Sequence, residues 1–316
     1  MAEAEQHAAV IRSAIASPAA AAQSSLAASW CRSALRHGLD PAHGPAADRL
    51  DAVRLAEARQ ANARLLHHAR PVLDTLARSI VRTGRCLLLT DGNSLILEGR
   101  MTDGDAAMFD RARLVAGECW SEAAEGTNGI GTCVVEDRPV AILKDQHFLS
   151  SNTQVSCMGV PIHGADGGII AALDVSTNRY DHDLDTTALV MAALQDAAGS
   201  VERLMFADAF SDCRIVLLDQ QTHGQAAMVA VDRDDLVIGA SRAARHHALL
   251  AGVSAAAPVP LADLFGLPEE DPLAAAERRV LRQALARCGG NVAAAARSLK
   301  IGRATFYRRM ERAGLN

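Results

Sequence analysis

Gly290-Asn291-Val292-Ala293-Ala294-Ala295-Ala296-Arg297-Ser298-Leu299-Lys300-Ile301-Gly302-Arg303-Ala304-Thr305-Phe306-Tyr307-Arg308-Arg309-Met310 lies close to the end of this 316-residue sequence. Asn291 is a helix N-cap, because its side-chain oxygen can accept from the first free backbone N–H groups. It opens a helix over Val292–Leu299. Lys300-Ile301-Gly302 is a tight turn, and a last helix runs from Arg303 to Arg312 and stops at Gly314. Upstream, an apolar face formed by Ala276, Val280, Leu281, Ala284 and Leu285 predicts a helix over Glu269–Arg287. Cys288-Gly289-Gly290 ends it, since glycine takes the left-handed cap conformation cheaply. Three short helices with a three-residue turn between the last two form a helix-turn-helix.

Charge supports this reading. The chain carries a net −5, which by itself argues against a polyanionic partner. From Gly290 to Asn316, however, six cations (Arg297, Lys300, Arg303, Arg308, Arg309, Arg312) face one anion (Glu311), a local net of +5, so the remainder carries −10. A solvated basic face is the plain alternative. The concentration of cations in an otherwise acidic chain favours double-stranded DNA as partner. Phe306 and Met310, four apart, turn to the core and leave the arginines on the other faces.

Working outward, hydrophobic residues make up 49% and aromatics 3%, so small side chains must pack the helices closely. No window approaches the roughly 18 uninterrupted apolar residues of a membrane helix. The acidic start, Met-Ala-Glu-Ala-Glu-Gln, is no signal peptide. Seven scattered cysteines without a CxxC pair read as reduced cytoplasmic thiols, not as a disulfide frame or a metal site. No cofactor is expected.

Four segments follow. Residues 1–45 are alanine-rich and helical. Residues 46–207 form a domain of helices and strands, 208–268 a linker whose Ala226–Ala244 stretch resembles the start of a PAS domain but is too short to complete one, and 269–316 the helix-turn-helix domain. In the second, helices with Pro71 in the first turn of one of them give way to two hairpins. Cys86–Thr90 and Leu95–Leu97 flank Asp91-Gly92-Asn93, and Val155–Ile162 and Ile169–Val175 flank Gly164–Gly168. Pro139–Leu143 adds a strand, Asp105–Leu114 and Asp183–Phe210 add helices, and Gly126–Gly131 is a loop. The fold class expected is α+β, an antiparallel sheet flanked by helices, with an all-α C-terminal domain. In 208–268, Ala227–Val231 and Leu236–Ile238 make one further hairpin.

The C-terminal stretch resembles the Fis-type helix-turn-helix, "GN…AA..L.I.R.TLYRKL". That resemblance implies a DNA-binding homodimer that reads the major groove with the last helix. Arg303, Thr305, Arg308 and Arg309 fall at its DNA contacts, with Tyr307 on the same helix, and Asn291 at a backbone contact. Gly302 departs from the usual Asn, Ser or Asp, so one cap or contact is missing. Gly117-Glu118-Cys119-Trp120-Ser121-Glu122-Ala123-Ala124-Glu125-Gly126-Thr127-Asn128-Gly129-Ile130-Gly131-Thr132 resembles the GAF sensory domain of acetoin-catabolism-type bacterial regulators, "G..WSE...GTNGIGT". Gln146-His147-Phe148, Cys157 with Val160-Pro161-Ile162, and Leu173–Ser176 extend the match. Ser29-Trp30-Cys31-Arg32-Ser33 and Gly38–Pro41 look like the same family's N-terminal motif.

The resemblance implies a small organic effector. The covering segments, Trp120–Thr132 and Gln146–Asn152, supply Trp120, Thr127, Asn128, His147 and Phe148 as candidate ligand-binding residues. The glycine loop lacks the lysine of a phosphate loop, so a structural turn is the better reading. His147 has no ligand partner at helical or hairpin spacing and reads as a hydrogen-bonding histidine. Trp120 either lines a pocket or anchors the core. Cys119, Cys133 and Cys157 read as packed hydrophobes, with redox sensing as the alternative. Regulators of this kind usually carry an ATPase between sensory and DNA-binding domains. Here 65 residues, 206–270, fill that gap, without a Walker A or GAFTGA loop. The expectation is a non-enzymatic, one-component transcriptional regulator. The alternatives are a thiol-based redox enzyme or sensor, and a heterodimerising modulator of full-length sigma-54 activators.

Overall fold

The computed structural model describes residues 2–17, 19–44, 49–179, 184–218, 226–266 and 271–315. The chain divides into two compact units, Met1–Pro260 and Leu261–Asn316.

The first unit opens with α1 (Ala2–Ile15), α2 (Ala20–Gln23) and α3 (Ser25–Cys31), the last running into a π-turn at Arg32–Arg36. Ser24 caps α3 by accepting from the Ala27 N–H at 3.0 Å. Next come α4 (Ala52–Ala61), capped by Asp51, and α5 (Ala63–Ile80). Pro71 was expected in the first turn of a helix, but it lies inside α5. Its ring is on the exposed side, and Leu65, Leu66, Ala69, Leu73 and Ile80 bury one stripe across it. That burial offsets the cost of an interior proline, about 3 kcal/mol for the lost hydrogen bond and the ring clash together.

The sheet is built from β1 (Arg85–Thr90), β2 (Ile96–Arg100), β3 (Val140–Leu143), β4 (Ser156–His163) and β5 (Ile169–Thr177). Its order is β2-β1-β5-β4-β3, and every pairing is antiparallel. Alternating residues face opposite ways, which splits the core in two. Leu87, Leu89, Met158, Val160, Leu173 and Val175 pack with α5 and with α9 (Leu184–Ala209). On the other face Cys86, Leu88, Cys157 and Ala172 pack with Phe109, Leu114, Trp120 and Ile130. That face is covered by α6 (Asp103–Arg111), α7 (Glu122–Glu125) and α8 (Gly129–Glu136). The unit is an α+β domain, an antiparallel sheet flanked by helices. The supposed loop Gly126–Gly131 is partly helical: Asn128 caps α8 by accepting from the Gly131 N–H at 2.8 Å.

The segment read as a linker carries a second antiparallel sheet. It consists of β6 (Arg214–Leu217), β7 (Met228–Val231), β8 (Leu236–Ala240) and β9 (Val259–Pro260), in that order. The expected hairpin is β7–β8. This sheet packs on the end of α9, where Phe206 meets Met228 and Ala230. Gly239 admits the Phe210 ring, which a Cβ there would meet at 2.2 Å.

In the second unit, α10 (Leu261–Leu264) precedes α11 (Pro272–Arg287), α12 (Val292–Ser298) and α13 (Arg303–Arg312). The expected start of α11 at Glu269 falls outside the described residues. Leu281, Ala284, Ala295, Ala296 and Phe306 form the core, with Leu285, Leu299, Ile301 and Met310 around them.

Candidate functional site

The second unit presents α13 as its basic face. Asn291 caps α12, its Oδ1 accepting from the Ala294 N–H at 3.0 Å. Lys300 takes φ +55° in the turn that redirects the chain. Gly302 stands at the N-cap of α13 with no side-chain acceptor, so the opening N–H groups of that helix are left without a side-chain cap. Burying Phe306 turns Arg303, Tyr307, Arg308, Arg309 and Arg312 outward, with Thr305 half-buried. The Arg303 guanidinium lies 5.6 Å from the centre of the Tyr307 ring, a cation–π contact that holds the first arginine of the helix against its own surface. Arg308 pairs with no carboxylate among the described residues. Arg309 differs: its Nε lies 3.3 Å from Glu277 of α11, and Arg312 also reaches that carboxylate. Sequence reading alone did not show this tie, because Glu277 and Arg312 are 35 residues apart.

In the first unit, the motifs that looked separate in sequence meet in one buried network. Arg32 donates from Nε to Glu122 Oε2 at 3.0 Å and from Nη2 to Oε1 at 2.9 Å, and reaches Glu136 at 3.0 Å. Glu122 Oε1 also accepts from Ser29 at 2.6 Å and Thr132 at 2.9 Å. Burial alone would raise the Glu122 carboxyl, but Arg32, Ser29 and Thr132 outweigh it and hold its pKa below the ordinary value. Ser29 also meets Thr127 at 2.7 Å. Asn128 donates to the carbonyls of Trp120 and Gly126.

The five expected ligand-binding residues sit inside this packing. Trp120 is 1% exposed, and Thr127, Asn128, His147 and Phe148 are fully buried. Trp120 donates from Nε1 to the Arg113 carbonyl at 2.8 Å and belongs to the core. His147 meets the Lys144 carbonyl through Nδ1, and burial lowers its pKa to about 4. Phe148 packs with Ile11 and Leu149 under α1. The physical reason is close packing at glycines. A Cβ on Gly159 would lie 2.1 Å from the Gly129 carbonyl oxygen, and one on Gly131 would lie 2.5 Å from the Glu122 nitrogen. The glycine-rich stretch thus presses α8 onto β4 and α7, and all five side chains are packed into the interior.

Two family profiles match. Residues 3–203 match the family described as MimR, N-terminal domain, and residues 272–312 match the Fis family of bacterial regulatory proteins. The chain belongs to the MimR N-terminal domain family. Its second unit is a Fis-family helix-turn-helix. The acetoin dehydrogenase operon transcriptional activator AcoR of Bacillus subtilis is 33% identical over 137 residues, 41% of this chain and 22% of that protein. The acetoin catabolism regulatory protein of Cupriavidus necator is 26% identical over 178 residues, 56% of this chain and 27% of that protein. The propane 2-monooxygenase operon transcriptional activator MimR of Mycolicibacterium smegmatis is 32% identical over 99 residues, 31% of this chain and 17% of that protein. The matches thus span about a sixth to a quarter of these relatives' length. The solved E. coli DhaR(N)–DhaL complex matches over 68% of this chain and 72% of that one, at 13% identity and a TM-score of 0.48.

Within the MimR-type domain, buried titratable groups lie on the α6–α8 face of the sheet. Burial pushes both Glu125 and Asp174 up to about 7. Asp174 Oδ2 accepts from Ser176 at 2.5 Å, and Glu125 Oε2 from Asn152 at 2.9 Å. Burial also raises the Cys86, Cys133 and Cys157 thiols well above their ordinary value, which suppresses the reactive thiolate. Among the described residues, no group of three or more His, Cys, Asp or Glu is placed to hold a metal, and no helix is long and apolar enough to cross a membrane.

Proposed function

We propose that this chain is a cytoplasmic, sequence-specific DNA-binding transcriptional regulator that works as a homodimer and responds to a small organic effector through its MimR-type domain. The observation that carries this reading is α13. Buried Phe306 fixes a helix that turns Arg303, Tyr307 and Arg308 to solvent within a Fis-family match. Arg303, at the start of the helix, is placed to reach base edges in the major groove, with Thr305 and Tyr307 beside it. Asn291, Arg308 and Arg309 serve the phosphates, and Arg309 keeps its tie to Glu277 while doing so. The raised thiols favour this reading over redox chemistry. The buried residues Trp120, Thr127, Asn128, His147 and Phe148 contribute to an effector site by holding its walls.

The test is to sequence the DNA fragments retained by the full chain in cells, then titrate the purified protein with one enriched duplex and one random duplex across salt concentrations. The expected result is enrichment of a two-fold repeated motif, with log affinity falling by roughly 0.9 per phosphate contact for each log unit of salt. Fragments no different from random genomic DNA, or a flat salt dependence, would overturn the proposal.

A further inference from the structure

The MimR-type domain holds a cavity of about 300 Å³, the lower end of the range for small-molecule sites. It lies beside the C-terminal end of α6. Met108 and Val155, both part of the core on that face, give it an apolar wall. Asn152, Gln154 and Asn178 bring three side-chain amides, and Arg111 stands at the exposed rim. Among the described residues, no acidic side chain lines it.

Two further features show that the wall is built rigidly. Lys144, held at φ +48°, donates from Nζ to the carbonyls of both Gln154 and Asn178, at 2.8 and 3.0 Å. One ammonium thereby pins together the two backbone segments that carry two of the amides and adds a positive charge behind them. Asn152 is fixed from behind as well. Its Nδ2 donates to buried Glu125, and its Oδ1 accepts from Ser151 at 3.2 Å. Arg111 has no carboxylate partner among the described residues.

We infer that this cavity is the effector site and that its ligand is a compact organic acid bearing a hydroxyl or keto oxygen, its carboxylate on Arg111, its second oxygen on the amides and its carbon chain on Met108 and Val155. This rests on the effector reading above and names the ligand class for it. Amides both donate and accept, so they suit a hydroxyl or a keto oxygen alike. A planar guanidinium matches a carboxylate in bidentate fashion. A cavity of this size admits an acid of about three to six carbons.

The experiment uses the full chain and two pairs of probes: lactate against propane-1,2-diol, and 2-ketobutyrate against butan-2-one. Binding is read by calorimetry and by the thermal midpoint, on wild type and on Arg111→Gln, an exposed substitution outside the buried network. At least one acid should bind saturably, with its uncharged match at least tenfold weaker, and Arg111→Gln should lose at least tenfold in affinity for the acid alone. Equal binding of acid and uncharged match, unchanged affinity in Arg111→Gln, or no binding by either acid would overturn the assignment. An uncharged compound that stabilises both proteins equally would remove this site while leaving the effector reading intact. Failure of every small organic compound in a wider thermal-shift screen would remove that reading too.

Discussion

Arg32→Met tests whether the shared motifs form a structural lock. The substitution keeps much of the apolar stem and removes the guanidinium. Glu122 is then left 1% exposed, with its Oε1 still accepting from Ser29 and Thr132, but its Oε2 stripped of the Arg32 Nε donor at 3.0 Å. Removing one partner of a buried ion pair costs about 3–5 kcal/mol. Arg32 is itself 24% exposed, so water shares part of its charge and the expected loss is near the lower end, about 3 kcal/mol. The pH dependence has a definite sign. Glu122 has a folded pKa below its unfolded value, so its contribution is present above the unfolded value and is lost as pH falls through the folded one. In Arg32→Met the carboxyl escapes its lost partner by taking up a proton, so the variant should lose most near pH 7.5 and least near pH 4.5. Both tryptophans of the chain, Trp30 and Trp120, lie in the first unit, so urea unfolding followed by their fluorescence reports on it. Arg32→Met with Glu122→Gln should recover more than about 1 kcal/mol relative to additivity, the mark of a direct coupling. A loss below about 1 kcal/mol, or an equal loss at both pH values, would refute the lock.

The close approach of α8 to β4 predicts that Gly159→Ala costs about 3 kcal/mol or more in urea unfolding, because its Cβ would meet a backbone oxygen that no rotamer can move; near-wild-type stability would show that the backbone can part there. Arg303→Ala should cost about 1–3 kcal/mol on the enriched duplex and far less on random DNA, whereas Arg309→Ala should weaken both alike; fluorescence anisotropy on the two duplexes decides it, and equal losses for both variants would undo the division of roles. Glu125 has a folded pKa raised to about 7, so the stability it supports is full below its unfolded value and is lost as pH rises through 7; Glu125→Gln should therefore gain on wild type between pH 5.5 and pH 8.5, and parallel stability curves would show that this carboxyl takes up no proton on folding.

What the sequence made legible was set by local physics. Short apolar runs around Asp91-Gly92-Asn93 and Gly164–Gly168 located four of the five main strands, because turn residues and alternation act over a few residues. The bounds of α13 were readable for the same reason: the turn, Arg303 and Gly314 mark its ends. The features that stayed hidden have tertiary causes. Gly129 and Gly131 lower helix propensity, so α8 reads as a loop until its contact with Cys157 and Glu122 is seen. Arg32 and Glu122 are 90 residues apart, and no local pattern in the sequence couples them. Of the second sheet only β7 and β8 were visible, since β6 is a four-residue strand and β9 two residues. The outward face of α13 was legible and the cavity beside α6 was not. A recognition helix displays its chemistry on one short stretch, whereas the cavity gathers side chains from α6, the loop before β4 and the end of β5.

The two sheets of the first unit are linked through α9, and under the proposed function this constrains how a signal would leave the MimR-type domain. Helix α9 has 26 residues, a rod of about 39 Å at 1.5 Å per residue. Its Val190, Leu194, Ala198 and Val201 pack on the first sheet, while Phe206 packs on the second. A polar latch runs alongside. His163, at the end of β4, meets Glu202 of α9 through Nδ1 and Asp137 through Nε2, each at 2.7 Å, and Arg242 of the second sheet's side pairs with the same Asp137. Burial opposes a charged imidazole, yet the two carboxylates outweigh it and raise the His163 pKa. A displacement of β4 or of α9 therefore strains either the Phe206 contact with the second sheet or the half-exposed Arg242–Asp137 ion pair. Residues 204–271 lie between the two family matches and contain that sheet. An effector on the α6 side can shift this linked body only to the extent that it prefers one arrangement of β4 and β5 over another. The segments joined by Lys144, which lead directly into β4 and out of β5, are where such a preference has to be expressed.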